Sequence, residues 1–284
     1  RDLIVTGVQT CALPICVPSK TLIETARVRH LAARAEAFGL PAMALPPVDF
    51  AAVRRRVETV IAGIQEHDSV ARFTGLGVEV RFGQACFRDA NSLDVGGETI
   101  TADRIVIAAG SRAAVPDIPG LAEAGYVTNR ELFSLPRLPA SLVILGGGAI
   151  AAEMGQAFAR LGSRVTIIQR SGRLLSKEDP DLARVVEAGL TADGVRLMLG
   201  AKVVCAAGPD AAGLRTVTVE QGGARETVVA ETILTAQGRT PNTDALGLDA
   251  VGIAHTKKGL VLDGRLRANL DRKSTRLNSS HDQI

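Results

Sequence analysis

A chain of 284 residues can hold one large domain or two ordinary ones. Its hydrophobic share of 46% and charged share of 22% are those of a globular protein. A net charge of +3, scattered along the chain, argues against nucleic acid as a partner. No apolar run reaches the length that spans a bilayer, so no membrane partner is expected. One Tyr and no Trp leave the core to Ala, Val, Leu and Ile. That suits an α/β fold, whose buried parallel strands are aliphatic.

The first element read along the chain is residues 1–15, RDLIVTGVQTCALPI, which carry no clear period before a sharp change at Cys16. They resemble translated adapter sequence more than native protein. An export signal is the weaker alternative, because the basic region is one arginine and no small-residue cleavage site follows. Residues 17–37 place Leu22, Ile23, Ala26, Val28 and Leu31 at helical spacing, with Gly39 as the stop. A proline loop follows at Pro41, Pro46 and Pro47. A second helix is expected from Phe50 to Ile64, with Val53, Val57, Val60, Ile61 and Ile64 on one face. The alternating runs VEVRF, ACF and LDV across residues 78–107 read as a small antiparallel sheet that returns to a buried strand, RIVIAAG.

From Ser141 the pattern changes. LVILGGG is a buried strand running into glycines, AIAAEMGQAFARLG is a helix ending at Gly162, and RVTIIQR is a second strand: one mononucleotide-binding half. Another helix spans 181–192, and VRLML, KVVCA, RTVTV and ETILTAQG read as further strands. The final stretch, DRKSTRLNSSHDQI, is polar and aperiodic and resembles adapter sequence as the start does. The expected organisation is a leader at 1–15, a partial nucleotide-binding domain at 16–140, a near-complete dinucleotide-binding domain at 141–255, a return to the first domain at 256–270, and a tail at 271–284. The fold class is α/β with two Rossmann-like domains in three layers, the first incomplete.

The glycine turn carries the most specific chemistry. Gly146-x-Gly148-x-x-Ala151 lies between a strand and a helix. The first glycine permits the tight turn and the second lets a pyrophosphate approach the backbone. The small third residue lets helix and strand close up. Gly147, Ala149 and Ile150 fill the turn and supply amides at the helix N-terminus, where the dipole favours an anion. An acidic residue closing the second strand would bond a ribose hydroxyl, whereas arginine accommodates a 2′-phosphate. Here that strand closes on Gln169, with Arg170 and Arg173 following. NADP is therefore favoured over NAD. Val203, in the KVVCA strand, is a further candidate at the nucleotide site.

Two strings echo each other: RIVIAAGSRAAVP and ETILTAQGRTPN both run strand, Ala-x-Gly, basic or polar residue, proline. They suggest two related nucleotide domains, each with a glycine where backbone approaches ligand. In CVPSKTL, Pro18 suits the first turn of a helix, which places Cys16 at or just before its N-terminus. There the dipole favours a thiolate, and Lys20, one turn on, adds positive charge.

CVPSKTL resembles the redox helix of the class I pyridine nucleotide-disulfide oxidoreductases, which include dihydrolipoamide dehydrogenase, glutathione reductase and mercuric reductase. The resemblance covers about residues 16–270 through four ordered motifs: CVPSK, IAAGS with PDIPG, GGGAIAAE, and TAQGRTPNT. It implies a flavoprotein passing electrons from NAD(P)H through FAD to a cysteine pair, and then to a small disulfide, a dithiol or a metal ion. In that family the second cysteine follows the first in C-x4-C spacing, which Cys11 and Cys16 satisfy, although the intervening residues depart from the usual ones. Cys16 is expected to be the reactive thiol, and Cys86 and Cys205 core residues. The resemblance also implies that Lys20 lies buried beside the flavin and pairs with Glu153. Ala109, Gly110, Ser111 and, through its backbone, Ala85 would contact FAD. Gly238 would approach the nicotinamide nucleotide, with Arg239, Pro241 and Asn242 completing the signature.

Several family features do not occur in the sequence: the first strand-GxGxxG-helix, the later Gly-Asp segment, and the dimerisation domain with its His–Glu pair. His30, His67, His255 and His281 read as solvated surface rather than replacements. The chain is accordingly expected to hold FAD poorly and turn over little, its full-length parent to be a cytoplasmic homodimer, and the branch to lean toward mercuric reductase. A non-catalytic dinucleotide-binding module is the alternative.

Overall fold

A computed structural model describes residues 15–269 together with the backbone of Arg276–Leu277. In chain order the elements begin with α1 (Val17–Ala33), α2 (Phe50–His67) and α3 (Val70–Gly75). Strands β1 (Ala85–Asp89), β2 (Ser92–Val95), β3 (Glu98–Thr101), β4 (Val106–Ile107) and β5 (Ser111–Ala113) come next, followed by α4 (Leu121–Ala124). Then come β6 (Ser141–Leu145), α5 (Ala149–Leu161), β7 (Arg164–Gln169), α6 (Pro180–Ala192) and β8 (Arg196–Leu199). Strands β9 (Lys202–Ala207), β10 (Arg215–Gln221), β11 (Ala224–Ala230) and β12 (Thr232–Thr235) close the larger of two compact units. That unit joins Pro14–Ile61 to Ala113–Gly238, and the smaller joins Ala62–Arg112 to the residues from Arg239 onward. No helix among the described residues is long and apolar enough to cross a membrane.

The larger unit is built on a parallel four-stranded sheet in the order β12-β6-β7-β8. All five residues of β6 are buried, because both of its faces are covered. Leu142 and Ile144 point into one cluster with Ile167, Met154 and Phe158; Val143 and Leu145 point into another with Ile233, Val217 and Val219. The second cluster sits under the antiparallel sheet β11-β10-β9. Pairing of β6 with β7 and β12, residue for residue, aligns their C-terminal ends at Leu145, Ile168 and Thr235. In an open parallel sheet that edge is where ligands bind.

Helix α1 belongs to the first cluster through Leu22 and Ala26, and α2 through Phe50 and Val53. Phe50 meets Phe158 of α5 with ring centroids 6.1 Å apart. Contrary to the expected helix over 17–37, α1 stops at Ala33. A short 3-10 turn, Ala35–Phe38, then carries the chain to Gly39 in the left-handed conformation. Strand β11 has no counterpart in the sequence reading: three of its first four residues are charged or polar and all four are exposed, so no apolar alternation marks it.

In the smaller unit β1, β2 and β3 form the expected antiparallel sheet. VEVRF is not part of it; Val78–Phe82 is irregular and Phe82 is 70% exposed. The expected buried strand RIVIAAG shortens to β4, with Ile105 and Ile107 buried and Val106 56% exposed. Arg276–Leu277, inside the segment expected to be a non-native tail, pairs in parallel with Val106–Ile107.

Candidate functional site

The glycine turn joins β6 to α5. Gly146 has φ +115°, and a Cβ placed on it would lie 2.4 Å from the carbonyl oxygen of Ala236, just past β12. A Cβ on Gly147 would meet the side chains of Gln169 and Leu174 at 2.8 Å. A Cβ on Gly148 would meet nothing. Gly148 is the N-cap of α5, extended and without a side-chain cap. The amide of Ala152 is the one bonded back to Gly148 O, at 3.0 Å. The amides of Ala149, Ile150 and Ala151 therefore lie at the positive end of the helix dipole beside open space. This cradle, one glycine pressed against backbone and another facing a void, fits a pyrophosphate. Ala151 is fully buried beneath it, as expected of the small third residue.

Two features here were missed from the sequence. Gly155, one turn beyond Ala151, lets α5 settle on β7; a Cβ there would lie 2.8 Å from Ile167. Its signal was available, a small residue spaced one turn after the GxGxxA. The loop after β7 is the other. Leu175, with φ 45°, donates its amide to Gly147 O at 2.7 Å, so a non-glycine residue in the left-handed region pins that loop across the turn. Leu174 is buried, and its amide donates to Glu187 of α6 at 2.7 Å. Nothing local in the sequence announces that strain.

The three candidates for nucleotide discrimination separate in this loop. Gln169 lies along Gly147. Arg173 donates to the carbonyls of Ser176 at 2.7 Å and Glu178 at 2.8 Å, bracing the loop. Arg170 is exposed, with no hydrogen bond or ion pair to a described residue. Val203, on β9, is half-buried against the second core cluster.

Cys16 is the N-cap of α1, followed by Pro18 inside the first turn. Its carbonyl accepts from the Ser19 hydroxyl at 3.2 Å, and the Thr21 hydroxyl donates to Val17 O at 2.8 Å. Its thiol is free and half-buried. Lys20 pairs with Glu153, the link expected between the redox helix and the helix of the glycine turn. The pair is not buried, however: the two side chains are 62% and 38% exposed, and such pairs contribute about 0–1 kcal/mol.

The pair does locate two helix ends. Lys20 lies four residues past Cys16 and Glu153 five past Gly148, roughly 6–7.5 Å along each axis at 1.5 Å per residue. Farther along, His30 of α1 and Arg160 of α5 share Asp193, so the two helices run in the same direction. Their N-termini, one bearing the thiol and the other the open cradle, are therefore on the same side.

In the smaller unit Ala109, Gly110 and Ser111 are held by the second signature. Asn242 donates its side-chain amide to Ala109 O at 3.0 Å and its backbone amide to Gly110 O at 3.0 Å. Arg239 donates to the Ser111 hydroxyl at 2.7 Å. Gly110 has φ +67°, a conformation favouring glycine. Ala85 opens β1 opposite Val95. In the larger unit Gly238 has φ +114°, and its carbonyl accepts from Ala114 at 2.9 Å. Cys86 and Cys205 lie in β1 and β9 as expected but are half-buried rather than core, and Cys86 Sγ packs beside Gly247. Cys11 and His281 lie outside the described residues. His67 is exposed and His255 half-buried. His30 is not solvated surface: it is held against Asp193, whose side chain is only 7% exposed.

The model for the pyridine nucleotide-disulphide oxidoreductase family matches residues 3–272, a span that begins ahead of Cys16 and includes Cys11. A mercuric reductase of Bacillus cereus is 35% identical over 264 residues, covering 93% of this chain and 41% of the relative. A dihydrolipoyl dehydrogenase of Bacillus subtilis (strain 168) is 32% identical over 268 residues, covering 92% of this chain and 57% of the relative. Among solved structures, the HOCl-induced flavoprotein disulfide reductase RclA from Escherichia coli superimposes with a TM-score of 0.79 at 28% identity, over 97% of this chain and 59% of that one. The chain thus spans about half the length of the relatives it matches. With the family model matching nearly its whole length, the chain belongs to the pyridine nucleotide-disulphide oxidoreductase family.

Proposed function

We propose that this chain carries the nicotinamide-dinucleotide site and the reactive thiol of an FAD-dependent NAD(P)H:disulfide oxidoreductase. The observation that carries the reading is the shared orientation of two helix N-termini, linked by Lys20 and Glu153, one capped by Cys16 and the other by the open Gly148 cradle. The positive end of the α5 dipole favours a pyrophosphate at the cradle, and the N-terminus of α1 presents the Cys16 thiol on the same side. Bound FAD supplies the two-electron chemistry between nicotinamide and thiols. Lys20 holds positive charge at the opening between the helices, and Cys16, with Cys11 as its partner in C-x4-C spacing, attacks the acceptor. Ala85 and Ala109–Ser111 are the flavin contacts in this reading, and Gly238 and Val203 lie at the nucleotide. The acceptor is a small disulfide or a metal ion, the last in keeping with the relatives named mercuric reductase, and a dithiol is the donor where electrons flow the other way. The full-length protein acts in the cytoplasm as a homodimer.

NADP is the preferred nucleotide. Arg170 meets the 2′-phosphate, because its guanidinium is free where that of Arg173 is committed to the loop. Purified chain titrated with NADPH and NADH is expected to bind NADPH about tenfold more tightly. Arg170→Ala should erase the preference, while Arg173→Ala weakens both nucleotides alike. FAD content and NADPH-dependent reduction of a dye test the redox half, and Cys16 should alkylate rapidly at neutral pH. Failure of either nucleotide to bind would remove the site. Binding with an inert Cys16 would favour the non-catalytic module.

A further inference from the structure

Asp193 caps the C-terminal end of α6 and gathers three other side chains. Oδ2 accepts from Gln156 Nε2 at 2.7 Å and from Arg160 Nε at 3.0 Å, both on α5. Oδ1 lies 3.3 Å from Nδ1 of His30 on α1. The other ring nitrogen, Nε2, lies 3.2 Å from Arg34 Nη1. A guanidinium can only donate, so Nε2 accepts from Arg34 and, in the neutral ring, Nδ1 carries the hydrogen on the side facing Asp193. Nδ1 and Oδ1 lie within ion-pair distance, and the carboxylate charge is already matched by Arg160.

A proton added to His30 would have to go onto Nε2, where it meets the Arg34 guanidinium. The charged groups around the ring are Arg34 from its own helix, Arg160 from α5 and Asp193 at the end of α6. Burial first, then the Arg160 charge, holds the imidazole below its ordinary value of 6.5, against a smaller opposing pull from Asp193. The sign follows from linkage. With the folded value depressed, the contribution of the neutral contact is complete above 6.5 and is lost as pH falls through the folded value.

We propose that His30 and Asp193 form a proton-sensitive latch between α1 and the α5–α6 corner, and that His30 is thereby a positioning residue for the thiol of Cys16. The two polar contacts of α1 are Lys20–Glu153 to α5, one turn from the thiol, and His30–Asp193 to the C-terminal cap of α6. They are roughly 15 Å apart along a continuous helix. Leu22 and Ala26 seat the middle of α1 in the hydrophobic cluster, and with the exposed first pair weak, the half-buried second contact is the main polar fastening of its C-terminal half. Between them runs a groove lined by Lys20, Ile23, Glu153, Gln156 and Arg160, floored by the buried Ala26 and Ala157.

The inference rests on the proposed reading of Cys16 as the reactive thiol, and the test separates the two. Hydrogen–deuterium exchange of the α1 peptide, corrected for the intrinsic pH dependence, is measured on the full chain between pH 7.5 and 5.5. In the same samples Cys16 alkylation by iodoacetamide is followed by peptide mass and divided by the thiolate fraction. Protection of α1 and corrected alkylation should both fall severalfold toward pH 5.5. In His30→Gln, which can still donate to Asp193 but cannot titrate, both should be flat. Equal pH dependence in His30→Gln, or unchanged α1 protection in the unaltered chain, overturns the latch. A pH-dependent α1 with constant corrected alkylation overturns the positioning role. Should His30→Gln not fold, the His30 titration in the unaltered chain, followed by NMR, replaces it: the α1 amide shifts must share its midpoint, and amides unmoved there overturn the latch. Slow alkylation at every pH would instead count against the redox reading of Cys16.

Discussion

The two compact units hold their functional motifs in different ways. In the larger unit the GGG turn issues from β6, a strand buried on every residue, between two hydrophobic clusters. The turn is therefore fixed by packing from both sides of the sheet. In the smaller unit the AGS motif follows β4, only two residues long, with Val106 56% exposed. That motif is fixed by polar brackets, Asn242 on Ala109 and Gly110, Arg239 on Ser111. A strand running into a glycine turn is thus supported by apolar burial in one place and by polar hydrogen bonds in the other. The two should fail differently when cut.

The largest effect is expected from Phe158→Ala in the larger unit. Phe158 is fully buried and touches Phe50, and a large-to-small change at such a site costs about 3–5 kcal/mol. Urea unfolding checks it; a loss below about 1 kcal/mol would mean that the cluster is not closed as described. Gly146→Ala comes next, at about 2–4 kcal/mol, because it adds a Cβ against Ala236 O at a positive φ. NADPH binding should vanish with it, even in protein that still folds. Asn242→Ala is the smallest, at about 1–2 kcal/mol, from the Ala109 carbonyl losing its side-chain donor while the main-chain bond to Gly110 survives. FAD retention should fall more than NADPH binding in that variant. A reversal, with NADPH lost first, would break the contrast between the two units.

Much of this was legible in the residues. The GxGxxA turn could be placed because each of its positions answers a local steric demand, and the backbone shows those demands as a positive φ at Gly146 and an uncapped Gly148. Cys16 at a helix N-terminus followed from Pro18 alone. The VEVRF run misled because alternation measures fitness for a half-buried strand, and among the described residues no strand pairs with it. His30 misled in the opposite direction. As a lone histidine on a helix it reads as surface, and its partner Asp193 is far away in sequence, beyond the glycine turn and α6.

What the sequence by itself determined is the set of properties that act within one turn or one strand: the glycine cradle, the N-terminal cysteine, the aliphatic parallel strands, and the family to which these motifs belong. What only the tertiary structure decided is which distant groups share a neighbourhood. The positive-φ Leu175 over Gly147, the free Arg170 beside a committed Arg173, the uncovered Lys20–Glu153 pair and the His30–Asp193 contact are all of this kind. Each depends on burial and partners set by how helices settle on a sheet, and side-chain packing is a property of the whole assembly that no local window contains.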